Sequence, residues 1–419
     1  MLLSEIMANF NTIDDFDVNG KTVLVRIDIN SPVDPNSGII LDDTRMKLHA
    51  ETIKELSMKG AKTVILAHQS RPGKDDFTTL EQHAVVLSRA VGLEVKYVDS
   101  IFSSKARESI IALEPGQILL LENVRFFSEE QLKRSAEEEA TSVLVKTLTP
   151  LVDFFVNDAF AAAHRSQTSL VGFTRTVPSA AGRVMEKELT VIGNALENVQ
   201  HPCVFALGGM KADDSITVTE NVLENGTADY VLVSGLVANI FIWAAGYDIK
   251  STNKNFIESR GYLDMVDKCR GLIERFGDKI VYPTDVAVSV QGDRADVTIE
   301  NIPDASIFDI GRESLIKYSK ILREAKTIFA NGPAGVFEDP KFAIGTEDII
   351  NAIASSKGFS VIGGGHIAAA TVNLGYGDKM DHISSGGGAS IDMLAGNPLP
   401  AVVALEESKE LFDGKYFLK

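Results

Sequence analysis

Cysteine is nearly absent from this 419-residue chain, which has only Cys203 and Cys269. They form no CxxC pair, so a zinc ribbon or disulfide framework is excluded and a reducing compartment is expected. Cys203 lies in an apolar run and reads as a small core residue. Basic charge is also short: Lys+Arg total 41 against 58 Asp+Glu, a net charge of −17. A pI near 4.9 argues against a non-specific nucleic-acid binder, which needs a basic footprint. It still allows a small anionic ligand, because a local arginine cluster can sit on an acidic body. No run of about 20 apolar residues occurs, so no membrane span is expected. The opening MLLSEIMANF has no basic n-region and no cleavage signature, and a cytoplasmic protein is expected. Neither GxxxxGKS/T nor GxGxxG is present, which sets aside two common nucleotide-binding fingerprints. No histidine pair has metal-ligand spacing.

What is present is globular: 45% hydrophobic and 24% charged residues. At roughly 150 residues per domain, the length predicts two or three domains. Short runs rich in Val, Ile, Leu and Phe occur at 22–28, 63–67, 118–121 and 154–156. They return at 204–207, 230–233, 327–330 and 359–362. Without polar alternation they read as strands buried on both faces, hence parallel sheets covered by helices. There are too many such units for one sheet, so two doubly wound α/β domains are expected. A helix with apolar spacing at Val184, Leu189, Ile192 and Leu196 should join them. The Pro/Gly/Ala-rich stretch 178–182 before it reads as a hinge. The acidic run at 137–140 reads as a solvated helix face.

Chemistry-bearing residues crowd the strand ends, where such sheets bind ligands. In the first half they are cationic: Arg26, Arg45, His68, Arg71, Arg125, His164 and Arg165. One arginine after a strand is usually a surface residue. Five at successive ends imply one cleft for a small polyanion, since guanidinium forks fit phosphate and carboxylate oxygens. Arg26 is the weakest member. It precedes Asp28 by two, so the two share a sheet face and a structural ion pair is expected. His49, His83 and His201 read as ordinary surface or helix histidines.

In the second half the strand ends carry glycine: Gly208-Gly209-Met210-Lys211, NGPAGVFE at 331–338, Gly363-Gly364-Gly365-His366, and SSGGGAS at 384–390. Glycine lets backbone amides approach phosphate, and a following helix N-terminus adds a favourable dipole. An arginine domain for a small acid, with a glycine domain for a nucleotide, suggests phosphoryl transfer.

The ordered set VRIDINSPVD, DDTR, AHQSRP, LLLENVRF, NDAFAAAHR, GGMKADDSI, NGPAGVFE, VIGGGH and HISSGGGAS resembles the phosphoglycerate kinases from end to end, with an archaeal pattern. The resemblance implies two Rossmann-like domains. A phosphoglycerate domain would span 1–182, with a tail at 404–419 returning to it. A hinge helix would follow at 183–199 and a nucleotide domain at 200–403. The implied reaction is reversible phosphoryl transfer between 1,3-bisphosphoglycerate and ADP, giving 3-phosphoglycerate and ATP, with the domains closing on both substrates.

Implied phosphoglycerate positions are Asp28, Ile29, Asn30, Arg45, His68, Gln69, Ser70, Arg71, Arg125 and Arg165. Implied nucleotide positions are Gly208, Gly209, Lys211, Ser215, Asn331, Pro333, Glu338 (at the ribose), Gly363, Gly364, Gly365 and His366. Arg45, Lys211 and the amides of Gly387 and Gly388 would carry catalysis. Mg²⁺ would accompany the nucleotide, and a monomer is expected, with a dimer as the alternative. Two departures bear on the metal. Ser215 stands where better-known members carry lysine, and His366 where they carry an aspartate that helps hold Mg²⁺. Neutral imidazole is a poor ligand for this hard cation, so the metal contact stays open between the nearby Asp214, a water-mediated contact and coordination by phosphate alone. A non-catalytic binder on the same fold and a kinase for another small acid are the competing readings. Retention of Arg45, Lys211 and the arginine set weighs against the first, and binding of other phospho-acids would reveal the second.

Overall fold

The computed structural model describes residues 10–413. The chain divides into two units. One holds the residues up to Gly193 and those from Pro398 onward, and the other is Asn194–Asn397. The division falls inside the helix Arg183–Glu197.

The first unit's sheet contains β1 (Asn11–Thr12), β2 (Thr22–Arg26), β3 (Lys62–Leu66), β4 (Val95–Tyr97), β5 (Ile118–Leu120), β6 (Phe154–Asn157) and β7 (Ser179–Ala181). The spatial order is β1-β7-β6-β2-β3-β5-β4, with every neighbouring pair parallel. The residues of β2 show why. Val23 and Val25 enter one apolar layer and Leu24 the other, so both faces must be covered. The helix Thr44–Met58 covers the first face with Met46, Ile53 and Leu56. The helix Ser104–Ile111 covers the second with Ala106 and Ile110.

The stretch expected to be a hinge is a strand. Ser179–Ala181 is buried between β1 and β6. Its small residues serve close packing: a Cβ on Gly182 would run into the Asp158 carboxylate. The acidic run also differs from expectation, because Glu139 is buried and pairs with Arg134 at 3.0 Å. The helix Pro400–Phe412 belongs to this unit, where the Ala401 N–H donates to the Ala163 carbonyl at 3.1 Å. Of the expected tail, residues 414–419 lie outside the described residues.

The second unit contains β8 (Cys203–Leu207), β9 (Tyr230–Val233), β10 (Ile280–Val281), β11 (Asp285–Val290), β12 (Asp293–Thr298), β13 (Ile307–Ile310), β14 (Thr327–Asn331), β15 (Phe359–Gly363) and β16 (His382–Ile383). A parallel sheet runs β10-β9-β8-β14-β15-β16. Val204 and Ala206 face one layer, while Phe205 stacks on Phe329 on the other face, with ring centroids 4.7 Å apart. A three-stranded antiparallel sheet, β12-β11-β13, with β11 in the middle, adds to the doubly wound pattern. Its tight turn places Gln291 at φ 53° and Gly292 at φ 86°. Two successive positive φ values match the twist that a two-residue hairpin needs. Among the described residues no helix is long and apolar enough to cross a membrane.

Candidate active site

The carboxyl ends of β2, β3 and β6, with the segment after β5, build a basic pocket in the first unit. Arg26, the last residue of β2, is fully buried. Its Nε donates to Ser169 Oγ at 2.8 Å, and another guanidinium nitrogen donates to the Ile27 carbonyl. The third meets His68 Nδ1 at 2.9 Å. A guanidinium can only donate, so Nδ1 accepts and the His68 proton sits on Nε2. Burial pushes the His68 imidazole well below its ordinary value, and the charges of Arg26, Arg125 and Arg165 add to this. His68 is therefore a neutral Nε2–H donor.

Asp28 pairs with Arg45 at 2.6 Å and not with Arg26, contrary to the sequence expectation. Burial would raise the Asp28 carboxyl, but the charges of Arg45 and Arg26 and the Asn30 N–H outweigh it and hold it low. Arg45 stands in the first turn of the helix Thr44–Met58 and remains partly exposed.

Ser70 holds a left-handed φ of 54°, uncommon for a residue with a Cβ. Three contacts fix it. Its N–H donates to Asn30 Oδ1 at 2.7 Å, its hydroxyl to Asp76 Oδ1 at 2.5 Å, and its carbonyl accepts from Arg125. Arg125 is buried, and its Nε has no partner. Burial and the charges of Arg165 and Arg26 bring it down to about 10. Four guanidiniums (Arg26, Arg45, Arg125, Arg165) thus face two carboxylates, Asp28 and the buried Glu130. The excess positive charge and the orphan Nε call for an anion.

Three of the expected positions stand apart from this pocket. Ile29 is fully buried in the apolar core, because strand-end alternation turns it inward. Gln69 is consumed by the scaffold. Its oxygen accepts from the Ser31 N–H at 3.1 Å and bonds His83 at 3.0 Å, and its amide donates to the Ser31 carbonyl at 2.9 Å. Arg71 is exposed, one residue beyond Ser70, and takes no part in the network. Two histidines lie on helices, as expected, but not at the surface. His49 and His83 are buried, and His49 bonds Asp158 at 2.7 Å. His49 falls four residues after Arg45, a helical spacing that could have flagged it.

The second unit holds a cavity of about 730 Å³ at the carboxyl ends of β8, β9, β14 and β15. The turns lining it interlock. The Gly208 N–H donates to the Asn331 carbonyl and the Gly209 N–H to the Pro333 carbonyl, both at 2.8 Å. Gly332 sits at φ 79°, and a Cβ there would strike the Gly208 carbonyl. The helices Ala212–Glu224, Gly365–Asn373 and Gly387–Leu394 begin at this cavity, and Lys211, Gly364, Gly365, Gly387 and Gly388 line it. Three positive helix ends and a lysine form an anion cradle.

Part of the lining is apolar, with Phe256 and, from β13 of the antiparallel sheet, Ile307 and Phe308. Ser215 Oγ and Asn331 Nδ2 are buried without partners. Glu338 and His366 are exposed on the lining, and His366 lies 5.8 Å from the Phe337 ring. Gly363 lies behind the lining, against Asn331. Asp309, in β13 of the antiparallel sheet, bonds Arg294 at 2.7 Å, yet burial pushes its carboxyl up to about 6.

Among the described residues no group of three or more His, Cys, Asp or Glu could hold a metal. Asp214 nevertheless lines the cavity two residues into the first turn after Ala212. Burial and the neighbouring Asp213 raise its carboxyl, and Lys211 opposes this. One such carboxylate suits a cation that arrives with phosphates, because Mg²⁺ commonly takes one or two carboxylates plus phosphate oxygens.

A basic cluster on one parallel sheet and a glycine cradle on another define an α/β protein with two sites suited to anions. The comparisons with known proteins narrow this class. The family model described as phosphoglycerate kinase matches residues 13–397. A phosphoglycerate kinase of Methanothermobacter thermautotrophicus is 62% identical over 409 residues, covering 98% of this chain and 100% of that protein. One of Methanobacterium bryantii is 59% identical over 400 residues, covering 96% and 98%. The crystal structure of phosphoglycerate kinase from Pyrococcus horikoshii OT3 matches with TM-score 0.90 at 43% identity, covering 96% of this chain and 100% of that one. That from Coxiella burnetii matches with TM-score 0.79 at 32% identity, covering 95% and 99%. The chain belongs to the phosphoglycerate kinase family.

Proposed function

We propose that this protein transfers a phosphoryl group reversibly between the carboxyl phosphate of 1,3-bisphosphoglycerate and ADP, giving 3-phosphoglycerate and ATP in glycolysis and gluconeogenesis. The observation that carries this reading is the pairing of the two half-sites: an over-charged arginine pocket with an orphan Arg125 Nε, and a glycine cradle under three helix N-termini. The first unit would take the phosphoglycerate, and the second the nucleotide, with 183–199 as the linking helix.

In the ATP-forming direction the acyl phosphate is the donor. In reverse the nucleophile is a carboxylate, ionised at neutral pH, so no general base is required. Catalysis reduces to positioning and to neutralising charge on the transferring group. Arg45 is suited to this work: it is held by Asp28 yet partly exposed. Lys211 is exposed at the cavity, and the Gly387 and Gly388 amides open the third helix. Asn30, His68, Arg125 and Arg165 would bind the phosphoglycerate, with His68 donating through Nε2. Asp214 would contact Mg²⁺ arriving with the nucleotide, and the ion would supply further neutralisation of phosphate charge. Direct transfer requires both ligands to meet away from water, so closure is part of the reading. A cytoplasmic monomer completes it.

The test is a coupled assay with 3-phosphoglycerate and MgATP on the wild type, Arg45→Ala and Lys211→Ala. Each substitution should lower kcat by on the order of a hundredfold or more, because its strongest contact forms in the transition state. Variants that raise KM alone would refute these roles, and a wild type without turnover would refute the kinase reading.

A further inference from the structure

One helix touches both the basic pocket and the start of the linking helix. Thr44–Met58 carries Arg45, His49, Thr52 and Glu55, spaced by three and four residues and hence on one face. Arg45 reaches Asp28 at 2.6 Å. At the other end, Thr52 Oγ1 accepts the Arg183 N–H at 3.1 Å, and Glu55 binds the Arg183 guanidinium at 2.6 Å. His49 lies between them, buried. Its Nε2 accepts the Asp28 N–H at 3.2 Å, and its Nδ1–H donates to Asp158 Oδ2 at 2.7 Å. The other oxygen of Asp158, Oδ1, accepts the Val184 N–H at 2.8 Å, in the first turn of the helix Arg183–Glu197. Gly182 leaves the space in which this carboxylate sits. A carboxylate at a helix N-terminus is also favoured by the helix dipole.

We propose that His49 and Asp158 are positioning residues for the phosphoryl transfer, forming a buried relay from the Asp28 main chain to the first turn of the linking helix. The inference rests on the kinase reading above. Each link has only one polarity. The Asp28 N–H must donate, so His49 Nε2 must be bare. The Nδ1–H then requires an acceptor, and the Val184 N–H requires another. Only a residue with two acceptors at position 158 satisfies both sides. The relay therefore fixes where Asp28 holds Arg45 relative to the start of the helix that leaves this unit. Ligand engaging Arg45 and Asp28 bears on that helix through atoms that hydrogen bonds join without a gap.

The decisive variant is Asp158→Asn, which keeps the shape and removes one acceptor. If its amide faces Val184, the two donors oppose and the helix start loses its bond. If it faces His49, the imidazole switches to the Nε2–H tautomer and opposes the Asp28 N–H. His49→Leu removes the relay by another route. In both folded variants kcat should fall by on the order of tenfold to a hundredfold. The Kd for ADP, measured by calorimetry, should stay within about twofold, because the nucleotide cavity belongs to the other unit. Imidazole ¹⁵N spectra should show His49 as the Nδ1–H tautomer in the wild type. Both variants folded with kcat within about twofold of wild type would overturn the relay, as would a wild-type His49 protonated at Nε2. A wild type with no turnover overturns the kinase reading instead, and the ¹⁵N spectra still judge the relay.

Discussion

Arg26→Met tests the basic pocket at its most buried point. Methionine replaces the apolar stem but removes a fully buried guanidinium with bonds to Ser169 Oγ (2.8 Å), His68 Nδ1 (2.9 Å) and the Ile27 carbonyl. Glu130 loses most by this. It is fully buried, accepts from the Ser169 N–H at 2.9 Å and hydroxyl at 2.7 Å, and takes favourable charge from Arg26. Breaking a buried charge pair from one side costs ~3–5 kcal/mol. At about 4 kcal/mol, and ~2–4 °C per kcal/mol for a unit of this size, the transition of the first unit should fall by roughly 8–16 °C in scanning calorimetry.

The pH dependence has a definite sign. Burial already raises the Glu130 carboxyl, and losing the Arg26 charge raises it further. A carboxyl whose folded pKa exceeds its unfolded value binds more protons when folded. Its contribution to stability therefore falls as pH rises through the folded pKa and recovers on acidification. The deficit of Arg26→Met should therefore shrink as pH falls from neutrality through the raised folded value of Glu130. Adding Glu130→Gln should recover part of it at neutral pH. A deficit under about 1 kcal/mol, or one that grows as pH falls, would refute the reasoning.

Gly332→Ala should weaken ADP binding at least about tenfold by calorimetry, since a left-handed φ of 79° is strained for alanine and the added methyl displaces the Gly208 turn. Binding of 3-phosphoglycerate should not change, and equal losses of both would count against two separate half-sites. His83 supplies a pH test of the scaffold behind Ser70. Burial pushes its imidazole down to about 4, so the folded state holds it neutral. Stability from this group is complete above the unfolded value near 6.5 and is lost as pH falls toward about 4, by up to ~3 kcal/mol. His83→Gln should flatten that slope in urea titrations, and an unchanged slope would mean that another group carries it.

The architecture was legible because the two large sheets are parallel and covered. Runs such as TVLVR and CVFAL have no polar face to hide, and polar residues can appear only where the strands end. That rule also placed the chemistry-bearing residues of both units at strand ends. The small antiparallel sheet was less visible, since its alternation in DVAVSV is short and its signal rests on one Gln-Gly turn. β7 was hidden for the opposite reason: Ser-Ala-Ala has no strand-like bulk and is a strand only because β1 and β6 lie on either side.

Within the pocket, residue type could not separate scaffold from site. Gln69 and Arg125 are both buried, polar and at strand ends, yet the Gln69 amide is used up by Ser31 and His83 while the Arg125 Nε is left over. Whether a polar group is spent depends on neighbours 7 to 38 residues away in Gln69's case, most of which no local motif encodes. Arg26 makes the same point from the other side. Its spacing from Asp28 suggested a local ion pair, but burial at the end of a central strand made it the donor that fixes the His68 tautomer. The arginine with the least apparent claim on a ligand thus decides which proton the pocket offers to one.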